Sequence, residues 1–256
     1  MSWARQIHLK GHAELQTMRE AGRINAEVLA TVRALLKPGV FTADLNAAAE
    51  DVLRKHKCVS PFKGYGHPPF PTSITTSINR ELVHGIPSKK RMLKVGDIVS
   101  IDCGTVLDGL VADSAFTAGV GEISSEAVNL LKVTEEALNV AIEQMRLGNR
   151  TGDVSAAIQK HVESNGYFVT REYTGHGVGR QMHEGPQLPN YGKAGAGMPL
   201  KLGMTIAIEP MVLVGTADTR VLPDQWTVVS ADGSLTAHFE HSVAVTEGDP
   251  LLLTVP

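Results

Sequence analysis

Two stretches of the chain read alike: residues 94–102 are KVGDIVSID and residues 201–209 are KLGMTIAIE. Each predicts a turn followed by a short, buried apolar strand that ends in a carboxylate, Asp102 in the first stretch and Glu209 in the second. The two carboxylates lie 107 residues apart. This spacing indicates that the chain contains two copies of one structural unit.

A second pair of similar stretches supports the duplication. Residues 39–48 (GVFTADLNAA) resemble residues 148–157 (GNRTGDVSAA), 109 positions further on. In each stretch a threonine, Thr42 or Thr151, precedes a helical pattern, and we expect it to cap the helix.

A third pair joins HGIP at 84–87 to HEGP at 183–186. Long segments at about 14–36 and 124–146 have apolar residues at three- and four-residue spacing, which predicts an amphipathic helix in each. Three pairs in the same order favour an α+β unit that occurs twice around a pseudo-twofold axis. No linker divides the chain, so we expect residues 1–256 to form one domain, with halves at roughly 14–120 and 121–250.

Composition excludes several classes of protein. The 256 residues are 43% hydrophobic with a formal net charge of −3, which gives no electrostatic case for nucleic-acid recognition. No apolar run approaches the length of a membrane helix, and residues 1–10 lack the apolar region of a signal peptide. With only two cysteines, Cys58 and Cys103, a disulfide framework is not expected. We therefore expect a cytoplasmic protein.

Four acidic residues lie within apolar strand patterns. Asp113 follows Asp102 by eleven positions, and a hairpin around residues 107–109 would place both carboxylates on neighbouring strands. Glu209 and Glu240 repeat this plan in the second half. A lone acid in a strand is more often a salt-bridged core residue, but four buried acids are costly unless cations compensate their charge. A pair of divalent metal ions would satisfy all four.

Histidines in a glycine-rich segment could complete such a site. Residues 173–186 read YTGHGVGRQMHEGP and contain His176 and His183. The spacing of the glycines does not match a phosphate-binding loop or a dinucleotide fingerprint, so they more plausibly let the backbone pass close to a site. One histidine could bind metal while the other meets substrate. Oxygen-rich ligation with one imidazole suits Mn, Fe, Co or Zn.

The ordered motifs resemble those of the type I methionine aminopeptidases, which have the creatinase/aminopeptidase "pita-bread" fold. The resemblance runs from about Met18 to Val245. It implies an α+β fold of two pseudo-symmetric halves, with a curved antiparallel sheet and outer helices. The motifs that carry it are VHGIP (83–87), GDIVSID (96–102), Asp113-Ser114, GHGVG (175–179), His183-Glu184, IEP (208–210) and FEH (239–241).

The resemblance implies a role for each site residue. Asp102 would bind one of two divalent metal ions, Asp113 and Glu240 would bridge both, and His176 and Glu209 would complete the second. A water molecule activated by the metals would attack the first peptide bond, with Glu209 as proton shuttle. His183 would contact the scissile carbonyl, and His84 would assist the leaving amine. The native metal, among Co, Mn, Fe and Zn, stays open.

A methionine pocket and a monovalent cation are further implications of the resemblance. The cation would lie near Asn79 and Thr236. Met182 stands where the family often has an aromatic residue, and the loop at 64–71 is about two residues longer than the family form. For each aromatic member of the pocket, ordinary core packing is the alternative. The expected pocket residues, beside His84 and His183, are Phe62, Tyr65, Phe70, Thr75, Met182 and Trp226.

The implied substrate is a nascent polypeptide or peptide with an N-terminal methionine and a small second residue. The chain's own start, Met1-Ser2, fits that description. A monomer is expected, and transient contact with the ribosome is compatible with such a substrate. Three alternatives stay open: a proline-cleaving enzyme of the same fold, a catalytically silent binding protein, and a metal-dependent hydrolase of another substrate. The 83 residues before His84 leave no room for the large N-terminal domain usual in proline-cleaving relatives.

Overall fold

The computed structural model describes residues 6–256, so the expectation for Met1 and Ser2 lies outside the described residues. Within this range the helices are α1 (His12–Ala34), α2 (Thr42–Lys55), α3 (Ser125–Glu143) and α4 (Thr151–Ser164). The strands in the same range are β1 (Thr75–Ile78), β2 (Glu81–Val83), β3 (Ile98–Leu107), β4 (Leu110–Gly119), β5 (Phe168–Val169), β6 (Thr174–Gly177), β7 (Glu184–Pro189), β8 (Thr205–Ile208), β9 (Met211–Leu213), β10 (Thr219–Val221), β11 (Val228–Ser230), β12 (Thr236–His238), β13 (Glu240–Ala244) and β14 (Leu251–Leu252).

The main sheet is antiparallel and contains strands from both halves of the chain. Its order is β1-β3-β4-β13-β8-β6-β7, with β14 also paired to β13. The junction between the halves is the pairing of β4 with β13, where Glu240 lies opposite Ala115. Smaller sheets have the orders β10-β11-β2 and β12-β9-β5. The predicted α+β class and the two long helices, α1 and α3, are confirmed.

The helices pack on one side of the main sheet. Their amphipathic sequences explain this, because α1 buries a stripe of residues that includes Met18, Val28 and Val32 against β3 and β4. In the second half α3 packs on α4 and contacts β4, β8 and β13. The resulting apolar core leaves the opposite face of the sheet available for a site. Among residues 6–256, no helix has the length and apolar character needed to cross a membrane.

Thr42 and Thr151 do not cap their helices as expected. Each is the first helical residue, and the preceding residue is the N-cap. The hydroxyl of Thr42 accepts a hydrogen bond from the backbone N–H of Ser88 at 2.8 Å, and that of Thr151 accepts one from Met198 at 3.0 Å. The two hydroxyls therefore attach the starts of α2 and α4 to equivalent loops. Third-position aspartates receive the N-cap N–H groups instead.

The hairpin predicted around residues 107–109 is confirmed. β3 pairs with β4 along ten residues of each strand, and Asp108-Gly109 forms the turn. Both turn residues have positive φ, 47° for Asp108 and 78° for Gly109, which a two-residue turn of this kind requires. The register is therefore continuous from the turn to the ends of both strands, and this continuity positions Asp102 and Asp113.

Candidate metal centre

Strand register aligns three of the acids in one row. Asp102 on β3 pairs with Ala115 on β4, and Ala115 pairs in turn with Glu240 on β13. The register of β13 with β8 continues this row to Glu209. Side chains of directly paired residues point to the same face of a sheet, so the three carboxylates share the face opposite the helices.

Asp113 and His176 join the same face because side chains in a strand repeat every two residues. Asp113 pairs with Gly104, which lies two positions after Asp102 on β3. His176 on β6 pairs with the residue two positions before Glu209 on β8, and its Nε2 lies 3.6 Å from Glu209 Oε1. Asp113, His176 and Glu240 offer ligand atoms that all lie within 4.8 Å of one another.

The four carboxyl groups are unusually easy to protonate. Burial raises the pKa of Asp113 to about 7 and the pKa values of Asp102, Glu209 and Glu240 well above their usual range. Mutual repulsion adds to burial, because the charge of Asp113 raises the pKa of each of the other three. A cation among these groups would offset both causes.

The carboxylates also have unused hydrogen-bonding capacity. Asp102 Oδ1, Asp113 Oδ1 and Glu240 Oε1 are buried and find no hydrogen-bond partner among residues 6–256. Unpaired buried oxygens cost free energy unless a ligand satisfies them. Carboxylate oxygens with a neutral imidazole are a donor set that divalent transition metals accept. The residues present therefore fit a divalent metal site.

His238 is a member of this cluster that sequence reasoning missed. Its side chain is buried, and Nε2 lies 3.6 Å from Glu209 Oε2 and 3.8 Å from Glu240 Oε2. Nε2 has no hydrogen-bond partner in the described part of the chain. Burial, together with the nearby His84, lowers its pKa to about 3, so the imidazole is neutral. The signal was available, since His238 lies two residues before Glu240 and must share its face.

His84 and His183 border the cluster as neutral imidazoles. Burial lowers the pKa of His84 to about 4. For His183, burial with the nearby His176 and His84 lowers the pKa to about 2. The rings of His176 and His183 lie 4.3 Å apart between centroids, and the hydroxyl of Tyr65 lies 2.7 Å from His183 Nδ1. His84 has φ of +61°, a conformation that costs a non-glycine residue free energy and that clusters at functional sites.

An apolar pocket opens beside the cluster, with a cavity volume of about 100 Å³. Trp226 forms one wall: its ring meets that of Phe70 edge-on at 5.2 Å, and its Nε1–H donates to the carbonyl of Pro68. Phe62 and Phe70 are buried as core residues would be, yet they line the pocket as well. All the expected pocket residues come together here, and the lining is Phe62, Tyr65, Phe70, Thr75, His84, Asp102, Met182, His183 and Trp226.

Asn79 and Thr236 meet elsewhere, where β1 ends and β12 begins. The hydroxyl oxygen of Thr236 lies 3.1 Å from the carbonyl oxygen of Asn79 and 2.9 Å from that of Glu81. One hydroxyl proton cannot serve both carbonyls fully. Three oxygens therefore converge at this point.

The donor set and the adjoining pocket are those of a metal-dependent hydrolase, and the antiparallel sheet with its outer helices is the pita-bread fold. The chain belongs to metallopeptidase family M24, whose family model matches residues 16–247.

Two relatives show how closely the chain resembles particular members. The methionine aminopeptidase of Clostridium acetobutylicum is 50% identical over 97% of this chain and 99% of its own length. A crystal structure of methionine aminopeptidase from Thermotoga maritima matches with a TM-score of 0.95 at 44% identity, over 98% of this chain and all of that one. Both relatives span nearly the same length as this chain.

Proposed function

We propose that this protein is a methionine aminopeptidase that removes the N-terminal, initiator methionine from nascent proteins and peptides. One observation carries the proposal: the apolar pocket and the carboxylate cluster share His84, Asp102 and His183. A side chain seated in the pocket would bring its own peptide bond to the cluster. The relatives named above bear this activity in their names.

We assign two divalent metal ions to the cluster. Asp102 would hold one ion, His176 and Glu209 the other, and Asp113 and Glu240 would bridge them. The orphaned oxygens of Asp102, Asp113 and Glu240 support this arrangement. Co, Mn, Fe and Zn all tolerate such a ligand set.

Each of the surrounding residues has its own role in the proposed hydrolysis. When bound, the metal ions supply Lewis acidity and lower the pKa of water. Glu209 takes the proton from the attacking water. Neutral His183 donates a hydrogen bond to the oxygen of the scissile carbonyl as negative charge develops there. His84, also neutral, would assist proton transfer to the leaving nitrogen.

The pocket accounts for the proposed specificity. Phe62, Phe70 and Trp226 offer apolar and aromatic contact to a flexible thioether side chain. Met182 adds a second thioether to the wall, where an aromatic residue would make the pocket stiffer. Because the first side chain is enclosed and the peptide bond lies at the metals, the second residue must be small. The free α-amine restricts cleavage to the first bond.

A monovalent cation, we further propose, binds where Thr236 meets Asn79. The support is the convergence of the Thr236 hydroxyl with the carbonyls of Asn79 and Glu81. Such a cation would strengthen the connection between the end of β1 and β12, the strand that carries His238.

We also propose that the chain folds as a single domain with halves near 14–120 and 121–250, and that it acts as a monomer in the cytoplasm. The sheet that runs through both halves supports the first point. The free thiols of Cys58 and Cys103 support a reducing compartment. Nascent chains as substrate would bring the enzyme transiently to the ribosome.

The proposal is tested by incubating the purified protein with Mn or Co and a Met-Ala-Ser peptide, and measuring released methionine. We expect release with Met-Ala-Ser and far less with a peptide whose second residue is large. Cleavage of X-Pro peptides alone would identify a proline-cleaving enzyme instead. If the protein cleaves none of the peptides with any of the four metals, the proposed activity is wrong, and the protein is either a binding protein or a hydrolase of another substrate.

A further inference from the structure

We propose that Tyr65 is a positioning residue: its hydroxyl donates to His183 Nδ1 and so holds His183 in the tautomer that carries its proton on Nε2. This inference rests on the proposed function, in which His183 donates to the carbonyl oxygen of the substrate. It gives Tyr65 a role in the reaction step, beyond its place in the wall of the methionine pocket.

The contact itself has the geometry of a strong neutral hydrogen bond. The Tyr65 oxygen lies 2.7 Å from His183 Nδ1, and the two rings lie 5.2 Å apart between centroids at an angle of 56°. A neutral imidazole has one N–H and one lone pair. With the lone pair of Nδ1 accepting from the phenol, the N–H of the neutral ring is on Nε2.

The phenol keeps the proton that this bond needs. Burial raises the pKa of the Tyr65 phenol above its usual value, so the hydroxyl keeps its proton at neutral pH. Tyr65 is therefore able to donate to Nδ1 of His183 at neutral pH.

The loop that carries Tyr65 is held in place by its own backbone. Gly64 N–H donates to Phe70 O and Phe70 N–H donates to Tyr65 O, both at 2.8 Å. Gly66 has φ of +73°, and a Cβ there would lie 2.5 Å from the Trp226 ring, so Trp226 rests directly on the backbone beside Tyr65. This is the loop that we expect to be about two residues longer than the family form.

A fixed tautomer matters because of what His183 must do. A donor aimed at a developing oxyanion stabilises the transition state only if it is oriented before the reaction. If Nδ1 held the proton, Nε2 would present a lone pair to the same oxygen and repel it. Tyr65 excludes that tautomer because its hydroxyl donates to Nδ1, and the loop that holds Tyr65 is already ordered by Trp226.

The test is Tyr65→Phe, which keeps the ring and removes the hydroxyl. A neutral hydrogen bond contributes about 1 kcal/mol, so we expect kcat for Met-Ala-Ser to fall about fivefold to tenfold. We expect KM to change less than about twofold, since the pocket wall is intact. A rise in KM at unchanged kcat would make Tyr65 a pocket residue only and would overturn the inference.

A second readout does not depend on turnover. In zinc-loaded protein with ¹⁵N-labelled histidine, NMR chemical shifts distinguish a protonated from an unprotonated ring nitrogen. We expect His183 of the wild type to show protonated Nε2 and unprotonated Nδ1, and Tyr65→Phe to show a mixture of tautomers. Protonated Nδ1 in the wild type, or an unchanged spectrum in the variant, would refute the inference.

Tyr191→Phe is the matched control. Tyr191 lies outside the site, with the guanidinium of Arg171 over its ring at 4.4 Å, and we expect neither kcat nor the His183 spectrum to change. The two proposals fail separately. If the wild type releases no methionine, the activity is wrong, while the spectrum still reports whether Tyr65 sets the tautomer of His183.

Discussion

The first half contains the hairpin of β3 and β4, and the second half contains a corresponding hairpin whose strands are β8-β9 and β12-β13. The two hairpins share one pairing register but differ in continuity. β3 and β4 are continuous and joined by two residues. The second hairpin is interrupted: β8 pairs with β13 in the main sheet, whereas β9 pairs with β12 in a separate small sheet. The interruption falls at Glu209 on one strand and Phe239 on the other. The first half thus contributes one continuous two-stranded ladder to the site, and the second half contributes an interrupted one.

When the strand registers are aligned so that Asp102 corresponds to Glu209, the residues that are equivalent in the two halves differ from those that the sequence predicts. Asp113 pairs with the residue two positions after Asp102, and His238 pairs with the residue two positions after Glu209. His238 is therefore the counterpart of Asp113. Glu240 corresponds to Ala115, not to Asp113 as predicted. The second half has a histidine where the first has an acid, and an acid where the first has alanine.

The connection between the paired strands differs just as much. Asp108-Gly109 closes the first hairpin, but residues 214–235 separate β9 from β12 and contain β10, β11 and Trp226. The first half therefore contributes Asp102 and Asp113 with no pocket wall from its turn. The second half contributes the other candidate ligands and, through its insertion, Trp226, whereas Phe62, Tyr65 and Phe70 in the pocket wall come from the first half. The shared register thus gives both halves candidate ligands, and the insertion adds one ring to the pocket.

The largest expected effect comes from substituting Asp102 and Glu209, the acids that occupy equivalent positions in the two halves. We expect Glu209→Gln to lower kcat by about 10³-fold or more, because it removes both a ligand and the proposed proton shuttle. Asp102→Asn removes a ligand only, so excess Mn should restore part of its activity and none of that of Glu209→Gln. Circular dichroism would verify that both variants fold. Wild-type turnover by Glu209→Gln would contradict the metal assignment.

His238 tests whether the counterpart of Asp113 supports the metals. Groups that orient metal ligands typically contribute 10- to 100-fold to affinity, so we expect His238→Ala to weaken divalent metal binding by about that factor. His238→Gln keeps a donor near Glu209 and should restore most of it. Calorimetric titration with Mn measures both.

His241→Gln is the control for the His238 variants. His241 lies on the other face of the sheet, where its Nδ1 is 2.8 Å from the Thr254 hydroxyl, and we expect its substitution to leave metal affinity unchanged. Equal affinity of His238→Ala and the wild type would show that position 238 has lost the function of its counterpart.

These assignments show what the sequence could and could not predict. Repeated motifs identified the duplication, and the carboxylates inside apolar strands identified the acids of the cluster. Register was beyond reach, because motif spacing places residues along a strand and not across from one another. The two-residue spacing to Glu240 predicts the face of His238, whereas the counterparts of His238 and His176 in the first half follow only from the register. In the structure, His176 pairs with Ala207, two residues before Glu209, and Ser77 pairs with Ser100, two residues before Asp102. Ser77 is therefore the counterpart of His176.

The insertion of the second half is tested by removing its aromatic ring. Trp226→Ala deletes one wall of the pocket and the hydrogen bond to Pro68, and we expect KM for Met-Ala-Ser to rise about tenfold. Trp226→Phe keeps a ring and should show a smaller rise. Steady-state kinetics at saturating Mn measures both. If KM is unchanged in Trp226→Ala, the pocket wall must come from the first half alone.

The acids of the two halves repel one another, and this predicts an effect of pH on stability. Buried acids with raised pKa values bind more protons in the folded state, so the metal-free protein should lose stability as pH rises through their folded pKa values, which for Asp113 is about 7. The buried histidines act oppositely, but only below about pH 6.5, since their folded pKa values are lowered.

The window that isolates the acids therefore begins at about pH 6.5, above which the histidines no longer contribute, and it includes the folded pKa of Asp113, about 7. Across it we expect the Tm of protein in EDTA to fall, while Mn, which needs deprotonated ligands, should raise the Tm by an increasing amount. Scanning calorimetry at several pH values gives both curves. In the double variant Asp113→Asn, Glu240→Gln the decline in EDTA should be weaker. A metal-free Tm that increases with pH would show that the acids are not buried together.

The smallest expected effect concerns the feature in which the halves agree most closely. Thr42→Val and Thr151→Val each leave a backbone N–H, that of Ser88 or Met198, without its hydroxyl acceptor, and should lower the free energy of unfolding by about 1 to 2 kcal/mol. Thr42 also donates to Ser88 O at 3.2 Å, so its variant should be the more destabilised. Urea unfolding with saturating Mn measures the differences. Because the two sites lie in different halves, their effects should add in the double variant.

Thr17→Val is the control. Its hydroxyl donates to Ala13 O within α1, and its loss should change the free energy of unfolding by less than about 0.5 kcal/mol. A large effect at one threonine with none at the other would mean that the helix starts, like the hairpins, have diverged.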